Sequence, residues 1–160
     1  MRIRTLAVAF IAALVIALPS FVAAQGSPFA GTWKLNLAKS KYGAGAAPKS
    51  STITTKVNAD GSFTQTWDTV PATGAPVKYE LTFKPDGKDY TYKGGNPTAD
   101  SAAYKSVDPR SWDVTAKKGG KVVISTRTVL SADGKTRTAT QTVTDAQGKT
   151  ATNTLVYDKQ

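Results

Sequence analysis

The feature that most limits what this chain can become is its punctuation. Turn-forming pairs recur at short intervals: Asp60-Gly61, Asp86-Gly87, Gly119-Gly120, Asp133-Gly134 and Gln147-Gly148. Glycine after aspartate supplies the positive φ of a tight hairpin, so each pair reads as a link between antiparallel neighbours. The stretches between the turns alternate. In Val77-Lys78-Tyr79-Glu80-Leu81-Thr82-Phe83 the apolar side chains hold the odd positions and the charges the even ones, which gives one buried face and one wet face. Phe63, Gln65 and Trp67 share a face in the same way, as do Trp112, Val114 and Ala116. Beyond residue 50 no long helical period appears, and the stretches are rich in Thr, Val, Ile and aromatic residues, which suit a half-buried pleated surface.

The spacing predicts strands near 29–35, 51–57, 62–69, 77–83, 88–93, 101–107, 111–117, 121–130, 136–144 and 149–157. The fold class is therefore all-β, an antiparallel up-and-down meander of about 8–10 strands. Such a ribbon with one apolar face folds over as a sandwich or closes. Closure removes the exposed edges, so a closed barrel is expected. One helical turn interrupts the pattern. Asn36 can cap a short helix over 37–42, and Gly43 can end it in the left-handed conformation. Residues 45–48 form a loose connection and 94–98 a second irregular segment, and neither requires a domain boundary.

The N-terminus has the three parts of a secretory signal. Arg2 and Arg4 are its positive start, residues 6–18 are an uncharged apolar run, and Val22-Ala23-Ala24 places small residues at a cleavage site after Ala24. A permanent span needs about 20 apolar residues, and Pro19 interrupts this run too early. The expectation is a signal peptide at 1–24 and a single domain at 25–160, periplasmic or secreted, with no stable membrane span after cleavage; the alternative is an uncleaved N-terminal anchor. The domain keeps 19 Lys and Arg against 11 acids, a net charge of +8. It has no Cys, so packing and hydrogen bonds must hold it together where disulfides would be allowed. It also has no His, and its one Glu is Glu80. These absences exclude Ser-His and Cys-His nucleophile pairs, most transition-metal sites and a histidine pH switch. No catalytic residue, metal site or cofactor is expected, and the chain reads as a non-enzyme.

Gly31-Thr32-Trp33-Lys34-Leu35, followed by a helical turn and a β meander, resembles the start of calycin-type barrels, the lipocalins and fatty-acid-binding proteins. The chain is more closely similar to a group of uncharacterised exported bacterial lipocalin-like proteins. That resemblance rests on Gly31 to Asn36, Lys39-Ser40-Lys41, Pro48, Asp86-Gly87-Lys88-Asp89-Tyr90, Asp133-Gly134-Lys135 and the ending Val156-Tyr157-Asp158-Lys159-Gln160. It implies a fold and transfers no activity. It also implies that Trp33 plugs the closed end of the barrel, with Gly31 allowing close approach. Fatty-acid-binding proteins hold a carboxylate with Arg-x-Tyr on the last strand; here the matching stretch is Leu155-Val156-Tyr157, which has the tyrosine without the arginine. A fatty acid held in that manner is not expected.

The candidate cavity residues are Phe63, Gln65, Trp67, Tyr79, Phe83, Tyr104, Trp112, Arg127, Gln141 and Tyr157. The aromatic members, with Trp33, could line an apolar ligand site or simply fill the core of a small domain. Gln65, Arg127, Arg137 and Gln141 could point inward and fix a polar head. An inward Arg would need a carboxylate or several hydrogen bonds, since a bare buried charge is costly. The face of Arg127 is ambiguous, because Val122 and Ile124 fall on one side of its strand and Val123 and Val129 on the other. Lys34, Lys39, Lys41, Lys49 and Lys56 precede the first acid of the domain, either as a patch for an anionic envelope surface or as solvated, edge-protecting charges. Arg-rich or aromatic nucleic-acid motifs are lacking, and no nucleic-acid partner is expected. Ser40 beside Lys41 lacks the context of a catalytic pair and reads as an exposed helical residue, and Asp86 with Asp89 lacks calcium-loop spacing. Two functions fit: a binding protein for an apolar or amphipathic small molecule, or a solid-core interaction protein with a basic surface.

Overall fold

The computed structural model describes residues 26–43 and 45–160; the export signal expected at 1–24 lies outside them. The described chain forms ten strands: β1 Gly31–Leu35, β2 Ser50–Val57, β3 Phe63–Val70, β4 Val77–Phe83, β5 Asp86–Thr91, β6 Ser101–Asp108, β7 Ser111–Lys118, β8 Lys121–Leu130, β9 Thr136–Thr144 and β10 Thr150–Lys159. All belong to one antiparallel sheet in the order β4-β3-β2-β1-β10-β9-β8-β7-β6-β5. The sheet curls into a nearly closed up-and-down barrel. No helix among the described residues is long and apolar enough to cross a membrane.

Four of the five turn pairs join hydrogen-bonded neighbours, and each works through glycine. Gly119 and Gly120 have φ of 55° and 77°, the doubly positive conformation of a tight turn between β7 and β8. The fifth pair departs from expectation. Asp86-Gly87 follows β4, yet β4 and β5 are the two edges of the sheet and are not paired as a ladder. A single backbone bridge links β4 to the residues just after β5, where Glu80 and Lys93 exchange two hydrogen bonds of 2.8 Å. Asp86 instead begins β5, its carboxylate accepting from the Lys88 N–H at 3.0 Å, and the ladder to β6 shifts register between Asp86 and Asp89.

The helical segment is shorter than expected. Asn36 does cap it, accepting from the Lys39 N–H at 3.1 Å, but it is a single 3-10 turn, Leu37–Lys39. Strand β10 ends it by competing for its backbone: Lys41 and Thr154 exchange two hydrogen bonds of 2.8 Å. Gly43 is consequently not a left-handed cap. It lies flat against β10, its N–H bonded to the Thr152 carbonyl at 3.1 Å, where a Cβ would stand 2.5 Å from that same oxygen. Ser40 is likewise tied in, donating to the Asn36 carbonyl at 2.7 Å and accepting from the Val156 N–H at 3.0 Å.

One end of the barrel is packed solid with aromatic rings. Residues ahead of β1 bring Phe29 beneath the sheet, where it stacks on Trp112 with ring centroids 3.6 Å apart. Phe63 and Phe83 face each other across β3 and β4 at 5.7 Å, and Trp112 meets both edge-on. Trp33 closes this cluster. It is 0% exposed, its indole N–H donates to the Phe29 carbonyl at 3.0 Å, and the Lys159 ammonium sits 5.1 Å from its ring centre. Gly31 has φ of 121°, a conformation that L side chains rarely adopt, so the strand start needs glycine there; a Cβ would also meet Lys159 Cε at 2.9 Å, a contact the flexible lysine can relieve by shifting. We expect Trp33→Ala to lower unfolding free energy by about 3–5 kcal/mol and Gly43→Ala by roughly 1–3 kcal/mol, both read from urea titrations.

Candidate functional site

Beyond the aromatic end the barrel holds a cavity of about 120 Å³. Alternation along each strand decides which side chains reach it. Strand β3 contributes Trp67, β4 Tyr79, β6 Tyr104, β7 Val114 and Ala116, β8 Ile124, Thr126 and Thr128, β9 Arg137, Ala139 and Gln141, and β10 Leu155 and Tyr157. Trp67 and Tyr79 stack with centroids 5.1 Å apart, and Tyr92 stands edge-on to both at 5.8 and 5.7 Å. Asn96, Thr98 and Ala99, from the irregular segment before β6, complete the wall. Gly94 lets that segment approach: a Cβ there would lie 2.8 Å from the Lys78 carbonyl oxygen.

The residues expected around a cavity therefore separate into four groups. Trp67, Tyr79, Tyr104, Gln141 and Tyr157 lie on its wall. Phe63, Phe83 and Trp112 do not; they are spent on one another and on Phe29 in the packed end. Gln65 is 0% exposed and off the wall, its amide donating to Thr55 Oγ1 at 3.0 Å and accepting from the Tyr104 hydroxyl at 2.9 Å. Those two bonds turn a prospective ligand contact into a brace between distant strands.

Arg127 points the other way. It is exposed on the outer wall, where it forms a fork with Asp113, its register partner on β7, with Nη2 to Oδ2 at 2.9 Å. The cause is a β-bulge. The ladder pairs Ala116 with Ile124 and then Lys117 with Val122, leaving Val123 as the extra residue. Such an insertion reverses the in-out alternation from one side to the other, so the consecutive Val123 and Ile124 both pack against the core, while Val122 and Val129 are exposed apolar residues on the outer face. Past the bulge the even positions Ile124, Thr126, Thr128 and Leu130 face inward.

Arg137 is the charged side chain that does enter. It lies opposite Leu130 on β8 and Tyr157 on β10, and it is only 4% exposed. Its Nε and Nη1 have no hydrogen-bond partner, and no Asp or Glu lies on the cavity wall. The guanidinium carbon is 6.0 Å from the centre of the Tyr157 ring, a contact that offsets little of the cost of burying a charge. That cost is on the order of several kcal/mol per ion without a counter-charge. Burial lowers the pKa of the guanidinium, and neighbouring Tyr104 and Tyr157 oppose the shift.

Tyr92, Ile53, Thr126, Thr128, Leu155, Asn96 and Thr98 were not among the residues the sequence singled out. Tyr92 fell within a predicted strand, and its parity with Tyr90 was the available signal. Asn96 and Thr98 sit in a loop, where no periodicity reports direction. The wall offers hydroxyls, amides and one cation, with neither thiol nor imidazole, and among the described residues no three His, Cys, Asp or Glu gather as a metal site.

Burial pushes the phenols of Tyr79, Tyr92, Tyr104 and Tyr157 above the usual tyrosine value. In the unfolded chain they would ionise near pH 10. A raised folded-state pKa means the native state holds protons that the unfolded state releases, so their contribution is complete below about pH 10 and is lost as pH rises beyond it. With no His in the chain, we expect melting temperatures to be flat from about pH 6 to 9 and to fall steeply above 10. Tyrosinate absorbance near 295 nm should then appear together with unfolding. A full six-tyrosine titration near pH 10 in a still-folded protein would contradict this placement.

The chain matches no protein-family model, and no curated protein shows significant sequence similarity to it.

Proposed function

We propose that this chain is an exported, non-catalytic binding protein of lipocalin-like type that holds a small apolar or amphipathic molecule within its barrel. The observation that carries the proposal is the wall of the 120 Å³ cavity, which combines the aromatic cluster of Trp67, Tyr79 and Tyr92 with the polar side chains of Arg137 and Gln141. Ligand sites commonly combine an apolar lining with a few directed polar groups. A core built only for stability gains nothing from polar side chains turned toward a void. The chemistry of the wall favours binding over turnover, because it offers no nucleophile with an adjacent base.

Size restricts the ligand. Drug-sized molecules occupy pockets of about 300–1,000 Å³, whereas an engineered cavity of about 150 Å³ takes up benzene. A compact ligand of roughly that bulk suits this barrel, and a long acyl chain does not. Export is supported by Arg2, Arg4, the apolar run at 6–18 and the small residues before Gln25.

Two measurements test the proposal. N-terminal sequencing of the protein recovered from periplasm or culture fluid should begin at Gln25; a product retaining Met1 in the cytoplasm would remove the location. Native mass spectrometry should reveal a co-purified molecule of low mass, or Trp67 fluorescence should respond to benzene-sized probes. A mass always equal to the bare chain, with no response to any probe, would favour the solid-core reading, in which the basic outer surface meets an anionic envelope component.

A further inference from the structure

We infer that the cavity is built for a compact organic monoanion, a molecule carrying one carboxylate on a flat apolar body, and that Arg137 is the residue that binds its head. The inference rests on the binding role proposed above and names the ligand class.

The argument starts from charge balance. Arg137 is 4% exposed and lines the cavity, and its Nε and Nη1 have no protein partner. The surrounding wall supplies hydroxyls and amides but no acid. Arg127 provides the internal comparison. It stands on the neighbouring strand, outside the barrel, and is matched by a two-pronged contact with Asp113. The exposed arginine thus has a carboxylate and the buried one has none. A guanidinium is planar, keeps its charge and presents parallel N–H donors, a geometry that a carboxylate meets with two oxygens at once.

Charge and shape narrow the class further. One cation and no second Lys or Arg on the wall neutralise one negative charge, so a phosphate or sulfate dianion would leave a buried surplus. The same wall carries the cluster of Trp67, Tyr79 and Tyr92, whose ring faces and edges suit a flat apolar body. The volume of about 120 Å³ limits that body to about the size of a benzene ring. The buried Tyr157 and Tyr104 keep their protons at neutral pH and add no competing negative charge beside the guanidinium.

The test uses the purified protein with benzoate, its neutral isostere benzamide, and inorganic phosphate, followed by calorimetry and thermal shift. Benzoate should bind and raise the melting temperature, benzamide should bind roughly 30-fold or more weakly, and phosphate should not compete. Arg137→Met should abolish the preference for benzoate. Without ligand it should melt no lower than the parent, because it removes an unmatched buried charge. Should that variant fail to fold, Arg137→Lys keeps the charge without the fork and should bind benzoate weakly. Arg127→Met, with the same change of net charge on the outer wall, should leave benzoate binding intact. Equal binding of benzoate and benzamide, competition by phosphate, or a preference for benzoate surviving in Arg137→Met would overturn the inference while leaving a cavity that binds small molecules. If no probe of either charge binds, the binding role itself falls with it.

Discussion

Everything in this molecule depends on β1 finding β10. The remaining ladders join strands that are neighbours in sequence, and they build two ribbons, β1 to β4 and β5 to β10, because β4 and β5 form no ladder with each other. The pairing of Trp33 with Lys159, Lys34 with Asp158 and Leu35 with Tyr157 joins the two ribbons into one sheet, which curls until one face is enclosed. Side chains reinforce the seam. Asp158 accepts from the Asn36 amide at 2.6 Å and from the Lys39 ammonium at 3.1 Å, and Gly43 and Lys41 extend the contact along β10 after β1 has ended. The exposed ion pair adds little by itself. The backbone bonds and the burial of Trp33 beneath Lys159 supply most of the stabilisation of the join.

Once the sheet is curved, two kinds of inner surface emerge from the same alternation. At one end Phe29, Trp33, Phe63, Phe83 and Trp112 are mutually satisfied, and their rings leave no room. Toward the other end the sequence places Thr126, Thr128, Ala139 and Gln141 where larger apolar residues would have filled the space. The Gln65 amide marks the boundary, bridging Thr55 on β2 and Tyr104 on β6. The packed end sets the geometry and the smaller, more polar residues beyond it create the void. Arg137 projects into that void from a strand otherwise composed largely of threonine.

Much of the fold was legible because turns and alternation are local properties. The strand positions followed from Asp-Gly and Gly-Gly pairs and from parity, and neither requires knowledge of what lies across the barrel. Misplacements arose where a distant element intervened. Gly43 looked like a helix cap because β10, more than 100 residues later, was not in view. Arg127 could not be assigned a face because the extra residue of the bulge, Val123, interrupts the parity that assigns faces. Arg137 was recognised as potentially inward, but its lack of a partner emerges only when every neighbouring strand is in place. Phe63, Phe83 and Trp112 were read as cavity candidates, and their place in the packed end depends on the stacking of Phe29 on Trp112, a contact between distant segments that parity along either one does not report.

The join between β1 and β10 also sets the order of events in time. Trp33 and its partner Lys159 stand at opposite extremes of the domain, so closing the intervening chain carries an entropic cost on the order of 4 kcal/mol before any contact across the seam offsets it. Until β10 exists, β1 and β9 are both naked edges, open to pairing with any other extended chain. Barrels dominated by such long-range contacts fold over milliseconds to seconds, far more slowly than helical bundles. The last strand is therefore a kinetic gate: while it is missing, the protein is two sticky ribbons with their aromatic faces uncovered, and its arrival joins them into a container.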